Sequence, residues 1–162
     1  MNKNLLFTLL IMVGLSYGLF AYFSTQDTND VDAHASSFAW ETDFEAAQAK
    51  AKATGKPMLL DFTGSDWCGW CIRLKKEVFS QAEFIDYAAS AFVLVTVDFP
   101  RGKPQSEALQ QQNDALAKKY GVSGFPTIIL LSPDGALLAE TGYLRGGAEN
   151  YVAHLKELLE NN

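Results

Sequence analysis

Apolar positions along the chain fall into short dense runs separated by longer polar or alanine-rich stretches. Met58–Thr63 is apolar apart from Asp61, and Phe92–Val97 and Thr127–Leu131 are similar runs. Runs this short, bounded by Gly, Pro or Asp, predict buried strands. A fourth strand is expected over Ala136–Thr141, joined to the third by the turn sequence Pro133–Asp134–Gly135. The intervening stretches read as helices. Phe38–Thr54 is rich in alanine, with Thr42–x–x–Glu45 able to form a capping box and Gly55 able to close it. A helix is expected from about Cys68 through Val78. Gln81–Ala89 follows as a second short helix, or as a continuation past a kink near Ser80. Glu107–Tyr120 stops at Gly121, and Ala148–Leu159 carries Tyr151, Leu155, Leu158 and Leu159 on one face. The order α, β, α, β, α, β, β, α predicts an α/β fold built on a mixed four-stranded sheet. Strands separated by helices pair in parallel, and the tight turn makes an antiparallel pair at the end.

One apolar run does not fit that domain. Leu5–Phe23 has no polar face, and as a helix its nineteen residues would reach roughly 28 Å, close to the ~30 Å hydrocarbon core of a bilayer. Residues 1–23 are therefore expected to be a transmembrane anchor. The alternative is a signal peptide, but its apolar core is usually shorter, and the nearby Ala33–His34–Ala35 site lies far past the run. Ser24–Ser37 is polar and reads as a linker, leaving residues 38–162 as the globular domain. Lys3 precedes the run and Asp27, Asp30 and Asp32 follow it, so the domain is expected outside the cytoplasm, in the periplasm if the source is bacterial.

Charge and cysteine content narrow the function. The formal net charge of −6 and the lack of a dense Lys/Arg cluster argue against nucleic acid as the main partner. The chain has two cysteines, Cys68 and Cys71. A bond across so short a loop adds little stability, so chemistry explains the pair better than scaffolding. An inert disulfide and a metal site remain as alternatives. A closed zinc site wants four ligands, and the available histidines are His34 and His154. At a helix N-terminus, Cys68 would be favoured as a thiolate, the attacking species in disulfide exchange. Cys71 would lie one turn along the same face, placed to resolve a mixed disulfide. Trp67 would shield the pair and offer an apolar surface. Asp61, a carboxylate within an apolar strand, would be reluctant to ionise, unless it sits at a strand end facing water.

Taken together, Asp61–Phe62, Trp67–Cys68–Gly69–Trp70–Cys71, Gly121–Val122–Ser123–Gly124–Phe125–Pro126–Thr127 and Ser132–Pro133–Asp134–Gly135 resemble the thioredoxin superfamily over roughly Phe38–Leu159. The Gly64–Ser65–Asp66–Trp67–Cys68 approach is similar to small secreted or anchored thioredoxin-like proteins. The resemblance implies a thiol–disulfide oxidoreductase with no cofactor beyond the Cys68–Cys71 couple. It implies a cis Pro126 against the cysteines, with the backbone before it pairing to an extended client. It implies Asp61 as the group that moves protons, although one extra residue separates it from the Trp–Cys pair. Catalytic residues are thus expected at Cys68, Cys71 and Asp61. Client contacts are expected at Trp67, Gly69, Trp70, Phe125 and Pro126. Trp70 stands where thioredoxin has proline, so the potential cannot be borrowed from it. Phe125 replaces a commoner small or β-branched residue, which makes the groove more apolar.

No Gly-rich dinucleotide fingerprint is present. A reductase would therefore need an external donor such as a membrane-embedded thiol relay, and an oxidase a re-oxidising partner. The direction stays open. A monomer acting on disulfide-bearing proteins is expected. A client-binding module without turnover and a Cu(I) carrier are the competing readings. Asp66 reads as a solvated turn residue, and Arg73 and Asp98 as structural or surface residues. The long Phe99–Gln112 connection reads as a partner surface.

Overall fold

A computed structural model describes residues 38–161. The expected anchor at 1–23 and linker at 24–37 lie outside the described residues. Strand β2 (Met58–Thr63) lies between β3 (Val93–Asp98), which runs parallel to it, and β4 (Thr127–Leu131), which runs antiparallel. Beyond β4 is β5 (Leu137–Thr141), also antiparallel. The outer edge next to β3 carries a two-residue parallel strand, β1 (Trp40–Glu41). The sheet thus has five strands in the order β1-β3-β2-β4-β5, not four.

The added strand corrects the reading of Phe38–Thr54 as one helix. Trp40 packs its ring on Phe79 and Phe84 at 5.1 and 6.5 Å, which holds this stretch extended along the sheet edge. Helix α1 (Phe44–Thr54) starts later, and its N-cap is Asp43, whose carboxylate accepts the Ala46 N–H at 3.0 Å. The capping box at Thr42 does not form. The Thr42 carbonyl instead accepts from Gln112 Nε2. Gly55 closes the helix at φ 68°, a left-handed conformation that glycine adopts without steric cost.

The helix expected over Cys68–Val78 is α2 (Gly69–Leu74), continued by one π-helical turn, Lys75–Phe79. Ser80 N–H bonds back to the Lys75 carbonyl at 2.9 Å and ends the turn. The wider turn buries both Val78 and Phe79, and α3 (Ala82–Ala91) follows. Helices α4 (Glu107–Tyr120) and α5 (Gly147–Glu160) lie where the pattern places them. Among the described residues no helix is long and apolar enough to cross a membrane.

Side chains alternate across a strand, and this divides the core in two. Met58, Leu60 and Phe62 pack with Val95, Val97, Ile129, Ala47, Ala51 and Leu116 under α1 and α4. Leu59, Leu94, Ile128 and Leu130 pack with Leu74, Phe79, Phe84, Tyr151 and Leu155 under α2, α3 and α5. Asp61 shares the parity of Leu59, so the pleat directs it to the second face, beneath α2.

Phe84 is fully buried and lies 4.8 Å from Phe79, ring to ring. Phe84→Ala is expected to lower stability by about 3–5 kcal/mol, read as a lower denaturant midpoint at unchanged slope. Ala82→Ser on the exposed first turn of α3 should stay within about 0.5 kcal/mol.

Candidate active site

The chain leaves β2 at Thr63, turns through Gly64–Ser65–Asp66, and enters α2 with Cys68 as its N-cap. The turn is tied to β3 by Asp98, whose carboxylate accepts the Ser65 N–H at 2.9 Å and the Ser65 hydroxyl at 2.6 Å. Cys68 and Cys71 form a disulfide with S–S 2.11 Å. The Cys71 N–H also points at Cys68 Sγ, 3.2 Å away. This is an unpaired first-turn donor of the kind that stabilises negative charge on a capping atom. Both cysteines are nearly buried, at 6% and 4% exposure, whereas Trp70 beside them is 51% exposed.

Trp67 is fixed on three sides. Its indole N–H donates to the Phe99 carbonyl at 2.7 Å, its ring meets Phe125 edge-on at 5.9 Å, and the Arg101 guanidinium lies 3.7 Å from the ring centroid. Gly64 makes this position possible, because a Cβ there would come within 2.5 Å of the indole. Phe125 also packs on Phe99 at 5.1 Å, and the Phe125–Pro126 peptide is cis. Trp67, Phe125 and Pro126 thus come together from two distant stretches. Trp70 points the other way and packs on Tyr143 at 5.2 Å. Gly69 is exposed, with open space around it.

Asp61 sits mid-strand, opposite Thr96 of β3 and Ile128 of β4. Its Oδ1 is buried without a hydrogen-bond partner. Burial pushes its carboxyl up from the ordinary 3.8 to about 7, Asp98 adds to the rise, and Lys75 opposes it. Asp61, Cys71 and Lys75 line one cavity of about 400 Å³, with Trp40, Phe79 and Ile85 among its apolar walls. A titratable acid and the second cysteine therefore share one partly enclosed space.

Several residues here carried little or no signal in the sequence. Asp66 does more than solvate a turn: it accepts the N–H groups of Arg101 and Gly102, at 3.0 and 2.6 Å, and clasps their loop against the site. Tyr143 donates its hydroxyl to Glu77 at 2.6 Å, and Arg73 Nε donates to the same carboxylate at 2.7 Å. These two bonds hold the Glu77 carboxyl below its usual range. Lys75 is visible in the sequence as the residue four beyond Cys71. That it shares a cavity wall with Asp61 follows only once α2 is packed on the sheet.

Residues 44–159 match the family model of the thioredoxin-like domain. Over 126 residues the chain is 37% identical to the disulfide bond reductase DsbH of Chlamydia pneumoniae, covering 78% of this chain and 75% of that one. It is 35% identical to the thioredoxin-related protein DsbJ of the same organism, covering 76% of this chain but 37% of the longer relative. A solved structure of a DsbH oxidoreductase superposes with a TM-score of 0.74 at 35% identity, covering 85% of this chain and 94% of that one. The capping Cys68–Cys71 pair, the mixed sheet and these relatives agree: the chain belongs to the thioredoxin-like domain family and is a thiol–disulfide oxidoreductase.

Proposed function

We propose that the chain reduces disulfides of client proteins outside the cytoplasm, held there by residues 1–23, and is recharged by a membrane-embedded thiol relay. The observation that carries the reading is a redox-capable cysteine pair at a helix start, with a carboxyl whose Oδ1 is buried and unpartnered in the cavity that Cys71 lines. Likeness to a protein named disulfide bond reductase supports the reducing direction.

In the reduced state the Cys68 thiolate attacks one sulfur of the client disulfide. One client sulfur leaves as a thiolate, and a Cys68–client mixed disulfide forms. Cys71 then loses its proton and attacks Cys68 Sγ. The Cys68–Cys71 bond forms, the mixed disulfide breaks, and the second client sulfur leaves as a thiolate. Two electrons pass from the cysteine pair to the client. Asp61, as carboxylate, takes the Cys71 proton across the shared cavity. A carboxyl near 7 can both accept and return that proton near neutrality. Lys75, on the same cavity wall, favours the carboxylate and so readies it as acceptor. Trp67, Gly69, Trp70 and Phe125 supply the surface on which the client lies, and the backbone before Pro126 pairs with it.

Two predictions follow from these roles. Cys71→Ser should accumulate a covalent client adduct that dithiothreitol releases, while Cys68→Ser should form none. Non-reducing gels and intact mass check both. Adduct from Cys68→Ser and none from Cys71→Ser would reverse the assignment of attacker and resolver.

The second concerns Asp61. Between its unfolded value near 3.8 and its folded value near 7, the folded chain binds the extra proton. Stability therefore falls as pH rises through that window, by about 1.4 kcal/mol per unit, and is lowest above it. Asp61→Asn should gain stability over the parent between about pH 4 and about pH 8, by on the order of 3–4 kcal/mol. It should also slow Cys71 attack by about a hundredfold at neutral pH, and abolish the rise in parental rate through pH 7. Parallel pH profiles for the two proteins would remove Asp61 from the mechanism.

A further inference from the structure

Three carboxylates around the redox centre are each engaged by hydrogen-bond donors. Asp66 is taken up by the Arg101 and Gly102 N–H groups, Asp98 by Ser65, and Glu77 by Tyr143 and Arg73. The cations are placed differently. On one bank, Arg101 is exposed and spreads its guanidinium over the Trp67 ring at 3.7 Å. Lys103, also exposed, reaches Ser65 Oγ at 3.5 Å and acts on Asp66 at longer range. On the other bank, Arg145 is exposed and acts on Tyr143, whose ring packs on Trp70. The ion pairs among the described residues are Lys50–Glu41 and Arg73–Glu77, so Arg101, Lys103 and Arg145 have no carboxylate at pairing distance there. Between the two banks run Trp67, Cys68, Gly69 and the half-exposed Trp70.

This arrangement goes against the composition of the chain, whose formal net charge is −6. Three exposed cations at the redox end, none within pairing distance of a carboxylate among the described residues, would attract negative charge there although the chain as a whole is acidic. Such attraction draws an acidic partner toward one end and orients it on approach, raising the association rate in a way that salt screens.

We propose that the redox face selects protein clients whose disulfide is flanked by Asp and Glu, held between Arg101–Lys103 on one side and Arg145 on the other, across the Trp67 and Trp70 rings. This rests on the oxidoreductase reading of Cys68 and Cys71 and adds the chemistry of the client.

The test uses the full chain, reduced and desalted, against three peptide disulfides that differ only in the flanking residues: Asp/Glu, Ser/Asn or Lys. Tryptophan fluorescence in stopped flow reads the second-order rate. At low ionic strength the acidic peptide should react about tenfold faster than the neutral one, or more, and the lysine peptide slower still. The acidic advantage should fall to within about twofold at roughly 0.5 M salt. The triple variant Arg101→Gln, Lys103→Gln, Arg145→Gln should bring the acidic-to-neutral ratio to within about twofold at low salt, and Arg101→Lys, Arg145→Lys with Lys103 kept should retain it. Equal rates for acidic and neutral peptides, or an acidic preference that survives the glutamine variant, overturn the proposal while leaving the oxidoreductase reading intact. Failure of all three peptides to oxidise the chain removes that reading, and the proposal with it.

Discussion

Strand β2 is hydrogen-bonded on both edges and covered on both faces, and one of its six residues is a carboxylic acid. Its neighbours Leu59, Leu60 and Phe62 are fully buried. The pleat therefore gives Asp61 no choice of side: reversing it would move the Leu59 row into the layer under α1 and α4 and the Met58, Leu60 and Phe62 row into the layer under α2, α3 and α5, disrupting the packing of both. The carboxyl must sit under α2, where Oδ1 finds no donor and ionisation is opposed by desolvation and by Asp98. The folding of the central strand thus places a group that titrates near neutrality beside the wall of the cysteine pair. The apolar packing that holds the sheet together also sets the proton affinity at the site.

The surface beside the redox centre is built differently, from long-range ties between loops. Asp66 binds the 101–102 backbone, Trp67 binds the Phe99 carbonyl, and Phe125 fills the space between them. Each tie joins residues far apart in sequence, as with Asp66 and Arg101 or Phe99 and Phe125, so the surface exists only after the sheet has formed. Asn113 adds to the same support by donating to the Asp98 carbonyl at 2.8 Å. The long connection after β3 is thereby anchored at its start, and its exposed cations are presented on a fixed base.

The division between what the sequence revealed and what it did not follows the same line. β2, β3, β4 and β5 were legible because each is a short apolar run closed by Gly, Pro or Asp, and each end fell within a residue of its expected place. The Cys68–Cys71 pair was legible from its spacing, whereas the cis Pro126 was expected only through the thioredoxin resemblance and the reluctance of Asp61 to ionise from its place in an apolar run. β1 was not, since two residues carry no alternation and the alanine-rich stretch after them reads as helix from the start. What makes Trp40–Glu41 a strand is the packing of Trp40 on Phe79 and Phe84, some forty residues away. The π-helical turn at Lys75–Phe79 escaped for a related reason, because a 3.6-residue period does not register one added residue. Arg101, Tyr143 and Lys75 gain their roles from tertiary contacts, which no local pattern encodes.

The most direct measurement of the central claim is the reduction potential of the Cys68–Cys71 couple in the full chain. It would be equilibrated against graded thiol–disulfide buffers and read by alkylation of free thiols. A reversible two-electron transition near the thioredoxin value, about −270 mV, is expected of a client reductase fed by a stronger donor. A value near about −120 mV, typical of a disulfide-forming oxidant, would contradict the reducing direction. The absence of any reversible transition would contradict the redox function itself.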